Sequence, residues 1–292
     1  MLAQIFDIVS PLLIVALIGY LYGSRVRPEM KFTNRLVMDV FVPALILQVM
    51  LREDFNVFNY TNLMVAALLL MLGSGLVALM VAKLCRFRWR SFVPPAMFSN
   101  WANLGLPLYV FALGEAALDG GIMLVVIGNL LCFSLGVLIY SGQIRLFDLL
   151  TTPVILAVVI GLALNMSGFV APRFLDTSLS MLGQVAIPLM LFSLGVRLTR
   201  VALRDTRQGL IMAILCPLAG VALAWLLIQV VAMPVLHQQT LLLFGALPPA
   251  VVNFMLAEQY QREPDQVASM VMVGNLMSML FIPLVLYWFV LG

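Results

Sequence analysis

Ten times along this chain an apolar run long enough to cross a bilayer recurs, and the connections between runs are too short to fold on their own. The runs lie near residues 4–23, 34–51, 61–84, 91–113, 120–141, 152–170, 177–197, 209–232, 239–259 and 266–290. A helix needs about 20 such residues to span the hydrocarbon core. A soluble chain must cover its surface with polar groups, so about a quarter of its residues are charged. Here 10% are charged, 63% are hydrophobic and the mean hydropathy is +1.10. The pattern predicts an all-α membrane protein with ten transmembrane helices and no soluble domain. The first run starts almost at residue 1, with no Lys or Arg before it and no small-residue cleavage site after it. It therefore reads as a retained helix, not a signal peptide.

The basic residues give an independent check on that count. Lys and Arg concentrate in the short loops on the cytoplasmic side. The odd-numbered loops hold Arg25, Arg27, Lys31 and Arg35, then Lys83, Arg86, Arg88 and Arg90, then Arg145, then Arg197, Arg200, Arg204 and Arg207, and finally Arg262. The even-numbered loops hold only Arg52 and Arg173. A missed or invented span would scatter this alternation. Both termini are thus expected on the non-cytoplasmic face of a plasma membrane.

The two halves of the chain repeat. Pro11 to Gly19 matches Pro153 to Gly161, an offset of 142. Val40, Pro43 and Arg52 match Val185, Pro188 and Arg197, an offset of 145. Asp119 and Gly128-Asn129-Leu130 match Asp265 and Gly274-Asn275-Leu276, an offset of 146. Three matches in one order with a slowly drifting offset divide the chain into residues 1–141 and 152–292. Each half holds five spans, so the second copy enters the membrane from the opposite face. Inverted repeats of this kind are the architecture of alternating-access carriers.

Two spans cannot be regular helices. The fourth places Asn100, Asn103, Gly105 and Pro107 at mid-depth, and the ninth places Pro248, Pro249 and Asn253 there. Proline removes a backbone donor and clashes with the preceding turn. The freed polar groups cannot face lipid, where each unsatisfied one costs several kcal/mol. They must face protein or a polar cavity, and asparagine can serve either the unwound backbone or a ligand. The N-termini of the half-helices carry partial positive charge suited to an anion. Pro43, Pro188, Pro217 and Pro283 read as ordinary kinks. Asn129 and Asn275, central in spans five and ten, either join helices or support the broken segments.

The remaining polar residues narrow the chemistry. No Lys or Arg lies at mid-depth, so a carboxylate would meet helix ends and amides. Asp39 is the one acid clearly inside a span, and it is either a proton or cation relay or a partner for Arg35. Glu258, near the end of span nine, is a weaker coupling candidate, and Glu115 reads as loop. His237 is expected in an outer loop, with no cluster for a metal. Cys85, Cys132 and Cys216 have no disulfide or zinc spacing. Trp89 and Trp288 read as interfacial anchors, and Trp101 either lines the cavity or packs. One His and one well-placed Asp do not supply an intramembrane enzyme, and no phosphate-binding glycine loop supplies an ATP-driven pump. A sodium- or proton-coupled cation antiporter and a membrane sensor stay open as alternatives to a carrier.

The segments from Ser99 to Pro107, from Leu247 to Tyr260 and from Gly274 to Tyr287 resemble the auxin efflux carrier family, which includes plant auxin exporters and bacterial malate and malonate permeases. The resemblance extends over essentially the whole chain. It implies a fold similar to that of bile-acid sodium symporters and sodium/proton antiporters, in which a scaffold moves against a transport unit containing two crossing broken helices. It also implies a homodimer, a small organic anion as substrate, and no cofactor beyond a coupling sodium ion or proton. Asn103 and Pro107 in the first broken segment, and Pro248, Pro249 and Asn253 in the second, carry the family's pattern. Many plant members have a long central loop; here only residues 142–151 join the halves, which resembles a bacterial inner-membrane member.

Overall fold

The computed structural model describes residues 2–143, 152–199 and 206–290. Arg145, Arg200 and Arg204, expected in the basic loops, lie outside the described residues, as does most of the junction between the halves. Within the described residues the chain is α-helical, and its one piece of sheet geometry is an isolated antiparallel bridge between Ser99 and Pro249. Seven helices are long and apolar enough to cross a membrane. The other three expected runs differ for visible reasons. Runs four and nine are interrupted, and run six is the 14-residue helix Pro153–Met166, about 21 Å long at 1.5 Å per residue.

In chain order the helices are α1 (Leu2–Val26), α2 (Lys31–Leu36), α3 (Val42–Met50), α4 (Thr61–Cys85), α5 (Trp89–Met97), α6 (Leu106–Leu113), α7 (Leu118–Leu131) and α8 (Val137–Ser141). They continue as α9 (Pro153–Met166), α10 (Arg173–Leu198), α11 (Thr206–Val230), α12 (Val235–Ala246), α13 (Val252–Gln259) and α14 (Pro264–Val285). Wider π-turns join several of these, at Val37–Phe41, Trp101–Gly105, Cys132–Gly136 and Leu286–Val290. Two of them immediately precede Pro43 and Pro107. A proline cannot donate to the carbonyl four residues back and its ring collides with it. A π-turn widens the coil at that point and keeps the helix running.

The helices pack as two groups. The first is α1, α3, α9 and α10; the second is α4, α5, α6, α7, α8, α11, α12, α13 and α14. Contact within each group is extensive, and the boundary runs where α1 and α10 face α6 and the Trp101–Gly105 turn. Helices α1 and α10 approach closely enough to exclude side chains. A Cβ on Gly195 would lie 1.8 Å from the Ala16 carbonyl oxygen, and one on Gly19 would lie 2.1 Å from that of Phe192. Small residues permit such approach, and backbone-to-backbone packing holds helices together where lipid removes the hydrophobic driving force. The outward faces expose large apolar side chains such as Leu17, Leu76, Leu84 and Trp225. A monomeric soluble protein avoids patches of that extent; a bilayer covers them.

Side-chain contacts sort the helix ends into two edges. At one, Arg88 pairs with Glu263 at 3.4 Å and Arg262 Nε donates to the Tyr140 carbonyl at 3.0 Å. At the other, Asn62 donates to the Ala232 carbonyl at 2.8 Å, Asn165 donates to the Phe55 carbonyl at 3.2 Å, and Arg52 pairs with Asp119.

Candidate functional site

The two interrupted segments meet. Helix α5 ends at Met97, after Pro94 and Pro95, and Phe98 to Asn100 leave the helical region before the chain re-enters it at the π-turn. Helix α12 ends at Ala246, and Leu247 takes an extended conformation ahead of Pro248 and Pro249. The freed backbone groups bond each other across the bundle. Asn100 N donates to the Pro248 carbonyl at 2.8 Å, and Ala250 N donates to the Phe98 carbonyl at 2.9 Å. Antiparallel pairing of two short stretches thus satisfies groups that neither helix can bond internally.

Asparagine amides secure this crossing. Asn253 Nδ2 donates to the carbonyls of Phe98 at 2.8 Å and Ala250 at 2.9 Å, one from each segment. Asn275 Nδ2 donates to the carbonyls of Pro249 at 3.0 Å and Val271 at 2.7 Å, and its Oδ1 accepts from Asn100 Nδ2 at 3.2 Å. All three amides are buried. The Gly-Asn pairs of spans five and ten have parallel steric roles: a Cβ on Gly128 would lie 2.7 Å from the Trp101 ring, and one on Gly274 would lie 2.7 Å from Pro249 Cδ. Each glycine makes room for the interrupted segment of its own half. The asparagines differ, because the Asn129 amide, though buried, has no hydrogen-bond partner among the described residues. Asn103, in the π-turn, is half-buried and likewise has no side-chain partner among them. Asn253 Oδ1 is buried without a donor.

The electrostatics follow from the breaks. Two half-helices begin at the crossing: the Trp101–Gly105 turn that continues into α6, and α13. Their N-terminal N–H groups favour negative charge nearby. At the boundary between the two helix groups lies a narrow, mostly apolar cleft lined by Leu12, Ala16, Leu104, Leu191, Asn275 and Ser278 among others.

Other expected residues lie elsewhere. Pro107 opens α6, buried, and Gly105 lies against Leu247 of the other break. Asp39 pairs with Arg35 at 3.2 Å on an exposed helix face, and Glu258 is exposed near the end of α13; neither bonds to the crossing. Trp101 packs, stacked on Phe244 with ring centroids 6.4 Å apart. His237 is not in a loop: it lies in the first turn of α12, buried, its ring 5.0 Å from that of Tyr60. Pro234 begins the helix earlier than the apolar run does.

Some participants leave little trace in sequence. Phe98, Ser99 and Ala250 act through backbone atoms. Pro94-Pro95 is a visible tandem proline, yet it sits inside a half-helix and not at the break. Arg52 and Asp119 stand out as repeat matches, but nothing local announces that they pair.

Residues 137–286, just over half of the chain, match the family described as "Membrane transport protein". An uncharacterized transporter of Methanocaldococcus jannaschii is 25% identical, covering 95% of this chain and 96% of its own length. An uncharacterized transporter of Methanothermobacter thermautotrophicus is 24% identical over the same shares. The interrupted helices, the apolar spans and these similarities converge: the chain is a multi-pass membrane protein that belongs to the auxin efflux carrier-like membrane transport family.

Proposed function

We propose that the protein is a secondary carrier that moves a small organic anion, a mono- or dicarboxylate, across the bacterial inner membrane by alternating access. The observation that carries this reading is the crossing of the two interrupted segments, where two half-helix N-termini and a set of asparagine amides converge in an otherwise apolar bundle. Such a site offers partial positive charge and neutral donors without a fixed cation. It can therefore hold a carboxylate and still release it. Asn103 and Asn129, whose amides are uncommitted, are the proposed ligands, with Gly105, Pro107, Pro248 and Pro249 shaping the site. Asn100, Asn253 and Asn275 hold the crossing itself.

The architecture behind this reading is ten spans in two inverted five-helix repeats, residues 1–141 and 152–292, with both termini outside. The helix grouping supports it. The first group holds spans one, two, six and seven and the second holds the rest, so no repeat-related pair is split between the groups. A four-helix scaffold and a six-helix moving unit follow, with the cleft between them. Homodimerisation is part of the proposal through the family resemblance. A cation antiporter is disfavoured because Asp39 lies on an exposed helix face and bonds to nothing in the crossing.

The test is a ligand panel on purified protein, with and without sodium at two pH values, followed by counterflow in liposomes. A binding carboxylate raises the melting temperature, since a ligand selective for the folded state stabilises it by about 2.7 kcal/mol at a hundredfold its Kd. If no carboxylate at millimolar concentration stabilises the protein and none exchanges across the vesicle membrane, the proposal is wrong.

A further inference from the structure

We propose that Arg52 and Asp119 form an ion-pair latch closing one edge of the boundary between the two helix groups, and that Arg197 and Asp265 form its counterpart at the opposite edge in the alternate conformation. The proposal rests on the inverted-repeat carrier reading, and adds to it the element that holds each end state.

The first pair crosses the boundary. Arg52 follows α3, in the first group, and Asp119 lies in the first turn of α7, in the second. Arg52 Nη2 contacts Asp119 Oδ2, and Tyr60 Oη donates to the same oxygen at 3.2 Å. The Asp119 side chain is 11% exposed and that of Arg52 38%, so water reaches the pair from one side only. Tyr60 is held in turn by stacking on Phe55 at 5.7 Å and by the His237 ring. Asp54 faces the Arg52 Nε at 3.5 Å from the solvent side. A charge pair taken this far out of water recovers its desolvation cost only while both partners stay together. Separating the helix groups at this edge would have to break it.

The second pair occupies the equivalent places. Arg197 is in the last turn of α10 and Asp265 is in the first turn of α14, again one residue from each group. Their positions follow Arg52 and Asp119 by 145 and 146 residues, the offsets that relate the rest of the repeat. In this conformation Arg197 and Asp265 make no ion pair with each other, and among the described residues the Arg197 side chain has no polar partner. One edge carries a formed pair and the other does not. Exchanging one pair for its equivalent keeps the two end states close in energy, as a carrier requires if neither is to be a trap.

Chemical cross-linking tests this without a substrate. In a background with Cys85, Cys132 and Cys216 replaced by alanine, two double variants are made: Arg52→Cys with Asp119→Cys, and Arg197→Cys with Asp265→Cys. Both are treated in membranes with a short bifunctional methanethiosulfonate, and intramolecular cross-links are read by gel mobility after cleavage at a protease site inserted between the two cysteines, between α4 and α5 for the first pair and between α11 and α12 for the second. Both pairs are expected to cross-link. Adding Arg52→Ala to the second double variant is expected to speed its cross-linking about tenfold, the scale of a modest conformational coupling. The charge-swapped pair, Arg52→Asp with Asp119→Arg, is expected to return the rate toward its starting value, which separates the latch from general damage. Failure of the Arg197→Cys and Asp265→Cys pair to cross-link while the other pair does, or a rate indifferent to Arg52→Ala, overturns the latch. Carboxylate stabilisation in the same protein would leave the carrier reading standing in that event, and the converse result would leave the latch standing without it.

Discussion

Removing the Asn253 amide and removing the Asn103 amide should have opposite signatures. Asn253 is fully buried and gives two hydrogen bonds, to the carbonyls of Phe98 and Ala250. Both carbonyls keep a backbone donor when the amide goes, from Ala250 N and Asn253 N respectively. Asn253→Ala therefore costs the two bonds, not two orphaned acceptors, or about 2 kcal/mol at about 1 kcal/mol each. That corresponds to a melting-temperature drop of about 4–8 °C. Asn253→Asp should cost at least as much, because an ionised carboxylate would present lone pairs to two carbonyls and a neutral acid could donate to only one. Asn103 has no such bonds to lose, so Asn103→Ala should move stability by under about 0.5 kcal/mol. If its amide meets a carboxylate, affinity should fall at least tenfold, since a hydrogen bond to a charged group is worth about 1.5–3 kcal/mol. The assay is differential scanning fluorimetry in detergent, with and without the carboxylate that stabilises best. Equal destabilisation by both alanine variants, or an Asn253→Ala protein that melts like the parent, would refute the division between amides that build the crossing and amides left for a ligand.

Two further outcomes are expected. Gly195→Ala should cost about 3 kcal/mol or more by forcing α1 off α10, seen as a lower melting temperature or loss of the monodisperse peak; Gly73→Ala, whose Cβ would meet only the Leu223 side chain at 3.1 Å, should be much milder. An alkaline phosphatase fused to the C-terminus should be active and a green fluorescent protein fused there dark in the bacterial cytoplasmic membrane, because the topology we propose from the basic loops has both termini outside; the reverse result would invert that topology.

Residue pattern made some of this legible and left the rest hidden. Clusters such as Asn100, Asn103 and Pro107 announce an interrupted helix because proline and mid-depth asparagine are costly in lipid. The seven long spans follow directly from hydropathy. What the pattern does not carry is partnership. Phe98 and Ala250 join the crossing through carbonyl and N–H groups that every residue possesses. Asn129 and Asn275 are identical in sequence context, Gly-Asn-Leu in each half, yet Asn275 is committed to Pro249 and Val271 while Asn129 has no partner among the described residues. His237 opens a short polar stretch, His237 to Thr240, and reads as loop, but Pro234 starts α12 early and the tertiary contact with Tyr60 buries the ring. Local chemistry fixes where a helix must break; the packing of distant segments decides what fills the gap.

The distribution of hydrogen bonds also bears on where the molecule can slip. The two interrupted segments satisfy each other's backbone groups, so drawing α5 and α6 away from α12 and α13 would expose several unpaired polar groups in an apolar interior, each at a cost of several kcal/mol. Those four helices should therefore travel as one body. Across the boundary with α1 and α10 the contact is chiefly apolar side chains around the cleft, and sliding one apolar surface over another leaves no donor without an acceptor. The exception is the edge where Arg52 meets Asp119. A boundary that is smooth over most of its length and charged at one end has its barrier concentrated in one place. A single ion pair can then govern a motion that the rest of the interface does not resist.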